Sequence, residues 1–172
     1  ICNDDKNLKN VFIKSKNKNF YTYGKNKNSN FQITNIKQNT NFSNFDIKIN
    51  IPSKKKIIKS IKLPMIGMHN IRNATAAVAL AFTIGLPEKY IKAGLYNFKG
   101  VQRRFSHLFD HNMISFYDDY AHHPTEISSV LSSVKNVYRN KEIVCIFQPH
   151  RISRLTSLKK EFSSCFKKAD TV

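Results

Sequence analysis

Residues 118–126 read DDYAHHPTE, which places Asp118, Asp119, Tyr120, His122, His123 and Glu126 within nine residues, directly after the apolar stretch MISFY. A solvated turn needs only an Asp or a Gly. Three carboxylates, two imidazoles and a phenol could instead serve a metal, an acid/base reaction or a nucleotide. Further along, QPHRISR adds His150, Arg151 and Arg154. The arginines narrow the choice, because guanidinium groups repel a metal cation but pair with a carboxylate or phosphate through planar N–H donors. The set reads as an anion-recognition site beside an Asp suited to ribose hydroxyls. Each member also has a plainer reading. Asp118 or Asp119 could cap a helix or turn, either His could be a packed loop residue, and either Arg could sit on the surface. Zinc held by His122 and His123 is disfavoured, because adjacent side chains diverge and no metal-ligand spacing accompanies them.

The elements that must position these residues can be read from periodicity. The first 65 residues suggest short strands, NFYTYG, FQITNI, FSNFDIKIN and IIKSIKLPM, with a hairpin turn at Asn39–Asn41. Helical spacing of Ile71, Ala74, Val78, Ala81 and Phe82 follows, ended by Gly85. A second helix begins at Leu86-Pro87, with Ile91, Leu95 and Phe98 on one face and Gly100 closing it. Two helices joined so tightly are expected to pack antiparallel. RRFSHLFDHNMISFY then predicts two strands joined around Asp110–Asn112. Next comes a helix with Pro124 in its first turn and Ile127, Val130, Leu131, Val134 and Tyr138 on one face. Glu142–Phe147 reads as a buried parallel strand. The last helix has Leu155, Leu158, Phe162, Cys165 and Phe166 on its buried face. Strand, helix, strand, helix is the order of a βαβ unit. The expected fold class is therefore α/β: strands and a helical pair in 1–102, then part of a Rossmann-like parallel-sheet domain in 103–172. In such a sheet the strand-to-helix loops emerge at the carboxyl edge, so DDYAHHP and QPHRISR should face one cleft.

Composition bounds the rest. The chain has 172 residues and a formal charge of +18, which invites a nucleic-acid reading. Yet the positive charges of the first sixty residues are scattered lysines between Asn and Ile, with no Arg before Arg72. A/T-rich codons explain them at least as well as a binding groove does, and neither nucleic acid nor membrane is expected as a partner. No apolar run approaches the roughly 18 residues of a membrane span. Cys2, Cys145 and Cys165 show no paired spacing, as suits a reducing, cytoplasmic setting. The chain begins at Ile1 and stops at Val172 in what reads as the start of a strand, so it is expected to be a piece of a longer protein.

GMHNIRNATAAVALAFTIGL, FKGVQRRF, DDYAHHPTEI and FQPHRISR, in this order and spacing, resemble the Mur ligase family. The resemblance rests on residues 65–172 and touches the strand-rich start only lightly. It implies a three-domain parent with UDP-substrate, ATP and amino-acid domains, of which this chain holds the end of the second and the first half of the third. It also implies an ATP-dependent carboxylate–amine ligase. ATP phosphorylates the muramyl carboxylate, the amino acid's amine attacks the acyl phosphate, and phosphate leaves a tetrahedral intermediate. Glu126 and QPHRISR favour the branch taking UDP-N-acetylmuramate and L-alanine as substrates, for peptidoglycan precursors. The murein-peptide-recycling branch is expected to carry an EPRSNTM-like segment there. By the same resemblance His69, Asn70 and Asn73 contact adenine, Arg104 lies near the phosphates and Asp119 holds the ribose. Tyr120, His122, His150, Arg151 and Arg154 line the amino-acid site. No metal ligand is expected in this chain. The Glu and His that hold magnesium, and the phosphate loop, are expected upstream of Ile1, since no GxxxxGK[ST] occurs here. A homodimer is compatible with the resemblance.

Overall fold

The computed structural model describes residues 1–5, 7–8 and 20–172, in two compact units, Ile1–Phe98 and Lys99–Val172. Asn19, the first residue of the expected NFYTYG strand, lies outside the described residues.

The first unit is built on a four-stranded sheet of order β1-β2-β3-β4, with β1 Tyr23–Gly24, β2 Phe31–Gln38, β3 Ser43–Ile51 and β4 Lys54–Leu63. β1 runs parallel to β2, and the other pairs are antiparallel. The Asn39 turn forms as expected: Asn39 Oδ1 accepts from the N–H groups of Asn41 at 3.0 Å and Phe42 at 2.9 Å. Alternation puts Phe31, Ile33, Phe45, Ile47, Ile49, Ile58, Ile61 and Leu63 on one buried face. The helix α1 (Met68–Thr83) covers that face with Ile71, Ala74 and Val78, and α2 (Glu88–Tyr96) adds Ile91. α2 is shorter than the sequence suggests. It stops at Tyr96 with Asn97 as its cap, so Phe98 is exposed and Gly100 lies beyond the helix. Among the described residues β4 lies at the edge of this sheet, and Lys54, Lys55, Lys56, Lys59 and Lys62 lie along it.

Two bulges bend the sheet, and one side chain braces both. Two residues of β2 (Asn35, Ile36) oppose one of β3, and Lys59–Ser60 of β4 likewise oppose Asp46 alone. Asn35 and Ser60 adopt positive φ, 51° and 55°. The Asp46 carboxylate accepts from Asn35 Nδ2 at 2.7 Å and from the Ser60 N–H at 2.7 Å. Burial alone would raise the Asp46 carboxyl, but these two donors, with Lys59 and Lys92 nearby, outweigh it and hold it below the usual value. The stability this contributes is present above the unfolded carboxyl pKa and is lost as pH falls through the depressed folded value. Asp46→Ala should therefore cost about 1–2 kcal/mol at neutral pH. Its stability deficit relative to wild type should shrink in acid, as read by denaturant melts at a series of pH values.

The N-terminal segment is tied to this unit where the sheet meets α1. Asp4 Oδ1 accepts from the N–H groups of Lys25 at 2.9 Å and Asn26 at 3.1 Å, and Asp4 Oδ2 accepts from Arg72 Nε at 2.8 Å. Gly24 has φ +146°, and a Cβ there would meet Asp4 Oδ1 at 2.6 Å, so a side chain would both strain the backbone and displace the Asp4 carboxylate.

The second unit holds a hairpin, β5 Ser106–His111 and β6 Ile114–Asp118, and three helices, α3 Pro124–Val137, α4 Ile152–Ser157 and α5 Lys159–Cys165. The hairpin turns at Asn112-Met113, one step later than expected. Both residues have positive φ, 47° and 64°, the conformation that matches strand twist in a two-residue loop. Ile127, Leu131, Ile143, Phe162 and Cys165 form the core, with Val134, Leu155, Leu158 and Phe166 packed against it. The expected last helix is broken in two at Leu158 (φ −117°, ψ 29°). Tyr138 caps α3, and its hydroxyl lies 3.3 Å from that of Tyr117.

The α/β class holds, but the Glu142–Phe147 run differs in detail. Among the described residues β6 pairs only with β5. The run's backbone is engaged by the C-terminal segment instead: Ile143 O accepts from the N–H groups of Asp170 and Thr171, the Cys145 N–H donates to Thr171 O, and Val144 bridges Thr171 in parallel. Only one face is covered. Ile143, Cys145 and Phe147 pack inward, whereas Ile146 is 93% exposed. Cys2, Cys145 and Cys165 are free thiols.

Candidate functional site

The DDYAHHPTE loop leaves β6 and enters α3 through an interlocked set of hydrogen bonds. Asp119 takes an Asx turn: its Oδ1 accepts from the Ala121 N–H at 2.7 Å, and its Oδ2 accepts from the Phe105 N–H at 2.8 Å. The helix cap is His123, whose Nδ1 accepts from the Thr125 N–H at 3.3 Å, with Pro124 at the first helical position. Glu126 completes a capping box, its Oε2 accepting from the N–H groups of His122 at 3.2 Å and His123 at 3.3 Å. Neither Asp118 nor Asp119 caps α3.

Glu126 also faces Arg104, with Nη1 3.8 Å from Oε1. Burial on its own would raise the Glu126 carboxyl. The His122 and His123 N–H groups and the His122 and Arg104 charges outweigh it and keep the group below the ordinary value. Neighbouring Arg103 pairs with Asp118, Nε to Oδ2 at 3.1 Å. Separation in sequence hid these pairings: VQRRF and DDYAHHPTE flank the two ends of the β5–β6 hairpin, which folds them together. An i-to-i+15 partnership of Arg103 and Asp118 is a hairpin signal only once the turn at Asn112-Met113 is recognised.

The rings of Tyr120 and His122 meet edge to face, centroids 5.1 Å apart. His122 Nδ1 lies 2.9 Å from Tyr120 O. A carbonyl only accepts, so Nδ1 carries a proton and donates it to Tyr120 O. The His122 and His123 rings thus engage different partners. Although β6 and the Ile143–Phe147 run do not pair in one sheet, the two segments touch: Arg154 Nη1, from α4, donates to His122 O at 3.4 Å. Arg104, Glu126, His122, Tyr120 and Arg154 are therefore linked through one set of contacts, and Asp119 braces Phe105 and Ala121 beside it. Arg151 and His150 are exposed, and neither side chain makes an ion pair among the described residues. Arg151 has φ +66°, a strained backbone for a residue with a Cβ.

In the first unit, His69, Asn70 and Asn73 lie on the first turns of α1. Asn70 Nδ2 donates to Ile66 O at 2.8 Å, and Asn73 is exposed. Gly67 is the N-cap at φ 98°, with no side-chain cap and no acidic residue in the first turn. Among the described residues no three His, Cys, Asp or Glu side chains converge on a metal position, and no helix is long and apolar enough to cross a membrane.

The sheet-and-helix unit matches the Mur ligase middle domain over residues 1–81, and the unit bearing the loop network matches the Mur ligase glutamate ligase domain over residues 103–172. The chain belongs to the Mur ligase family. It is 60% identical over its whole length to the UDP-N-acetylmuramate–L-alanine ligase of Pelagibacter ubique, and spans 37% of that relative. Among solved structures it is similar to the UDP-N-acetylmuramate-alanine ligase of Thermotoga maritima, at 32% identity and a TM-score of 0.73 over 87% of this chain and 32% of that one. It is also similar to a murein peptide ligase from Psychrobacter arcticus, at 25% identity and a TM-score of 0.61 over 95% of this chain and 34% of that one.

Proposed function

We propose that this chain is the ATP- and amino-acid-handling part of a cytoplasmic ligase that joins L-alanine to UDP-N-acetylmuramate in peptidoglycan precursor synthesis. The observation that carries the reading is the hydrogen bond between Arg154 and His122 O, which brings the arginine loop to the Tyr120–His122 loop. The choice of reaction is supported by the identity to alanine-adding relatives across the whole chain. Tyr120, His122, His150, Arg151 and Arg154 take the amino acid, with the arginines on its carboxylate. Holding the amine in place beside an acyl phosphate supplies proximity. His69, Asn70 and Asn73, on the first turns of α1, serve the adenine. Arg104 serves the phosphates. Asp119 serves the ribose hydroxyls, since a carboxylate has about four lone-pair sites and two N–H groups occupy only part of them. Magnesium neutralises phosphate charge during transfer and is assigned to no residue here, because the loop carboxylates already face Arg103, Arg104 and backbone N–H groups.

Two measurements test this. The 172-residue chain alone should neither hydrolyse ATP nor ligate alanine, because it has no phosphate loop. The full-length protein should release phosphate only when ATP, UDP-N-acetylmuramate and L-alanine are all supplied. Release that depends on a murein tripeptide in place of L-alanine would assign it to peptide recycling instead.

A further inference from the structure

We propose that Arg103, a residue outside the amino-acid and nucleotide sets above, is a positioning residue for the Tyr120 ring; this rests on the reading of Tyr120 as part of the amino-acid site. Segment 103–105 touches three consecutive residues of the DDY stretch. The Arg103 guanidinium pairs with Asp118 at 3.1 Å, the Phe105 N–H donates to Asp119 Oδ2 at 2.8 Å, and the Tyr120 N–H donates to Arg103 O at 2.8 Å. The same guanidinium lies over the Tyr120 ring, Cζ 4.7 Å from its centroid. On another side the ring meets His122 edge-on at 5.1 Å. Tyr120 is 47% exposed, so these two contacts are among the few available to fix a half-open ring. Arg103 reaches this place because it and Phe105 adopt positive φ, 57° and 51°, which turns the segment back over the loop.

Stability is a poor reason for the arrangement. The Arg103 and Asp118 side chains are 60% and 37% exposed, and open ion pairs contribute little to folding. Their geometry is what a planar cation adds. The Arg103 guanidinium lies over the ring while its Nε is held by Asp118, so the group that meets the ring is itself anchored. Lysine can pair with Asp118 but does not reproduce this planar bridge.

The test is steady-state kinetics and thermal melting of the full-length protein. Arg103→Ala should raise the alanine Michaelis constant about two- to fivefold, the range of an exposed cation–π contact. Arg103→Lys should restore part of this, and both variants should melt within about 2 °C of wild type. In a Tyr120→Ala background the effect of Arg103→Ala should vanish, because Arg103 acts through the ring. If Tyr120→Ala raises the alanine constant but Arg103→Ala does not, or if the Arg103→Ala effect persists without the ring, the inference is overturned and the amino-acid site stands. If Tyr120→Ala itself changes nothing, the site assignment fails and the inference with it.

Discussion

Arg154→Lys and Arg151→Lys in the full-length protein are each expected to raise the Michaelis constant for L-alanine roughly tenfold to a hundredfold, the effect of losing contacts to a charged group. A guanidinium presents two parallel donors to a carboxylate, whereas an ammonium is a point charge. For Arg154 the loss is compounded, because one of its nitrogens also holds His122 O and so ties the two loops together. Arg151 is the cleaner probe. Its positive φ is set by the backbone, so lysine inherits the same strain and only the head group changes. Constants for ATP and UDP-N-acetylmuramate should stay within about twofold. An alanine constant within about twofold of wild type in both variants would remove these arginines from the amino-acid site.

Asp119→Asn is the second large effect, and it has two readouts. An amide offers one acceptor oxygen and one donor nitrogen, so either the Phe105 N–H or the Ala121 N–H must face another donor. Leaving such a group unpaired costs about 1–3 kcal/mol, visible as a lower melting temperature. On the ligand side, an amide accepts ribose O–H bonds less well than a carboxylate. The ATP constant should rise about tenfold while the alanine constant changes little. Should the alanine constant rise instead with ATP unchanged, the roles of the two loops are reversed.

Much of this site was legible because its signals are local. DDYAHHPTE announces itself by composition, Pro124 marks the start of α3, and the Ile71–Phe82 spacing marks α1. What stayed hidden depends on contacts distant in sequence. Asp119 could be suspected of capping something, but that it braces Phe105 requires the hairpin between them. The apolar run at Ile143–Phe147 looked buried on both faces, since hydrophobicity reports a preference for burial and not what covers it. Its backbone partner, Asp170–Thr171, read as the start of a strand, but nothing in the sequence says which segment that strand would meet. The bulge at Asp46 was invisible for a related reason. A register shift is the joint property of two strands, and Asn35 and Ser60 look like ordinary strand-surface residues.

The lysines along β4 have a consequence for self-association. An edge strand offers unpaired N–H and C=O groups on which a second copy could add a strand, the first step of many aggregation routes. Two copies meeting along β4 would bring the ammonium groups of Lys54, Lys55, Lys59 and Lys62 against their counterparts. That repulsion acts only at close range in salt, which is where strand addition would begin. On an edge open among the described residues, such lysines are expected to oppose strand addition to an isoleucine-rich sheet, whatever codon bias supplied them.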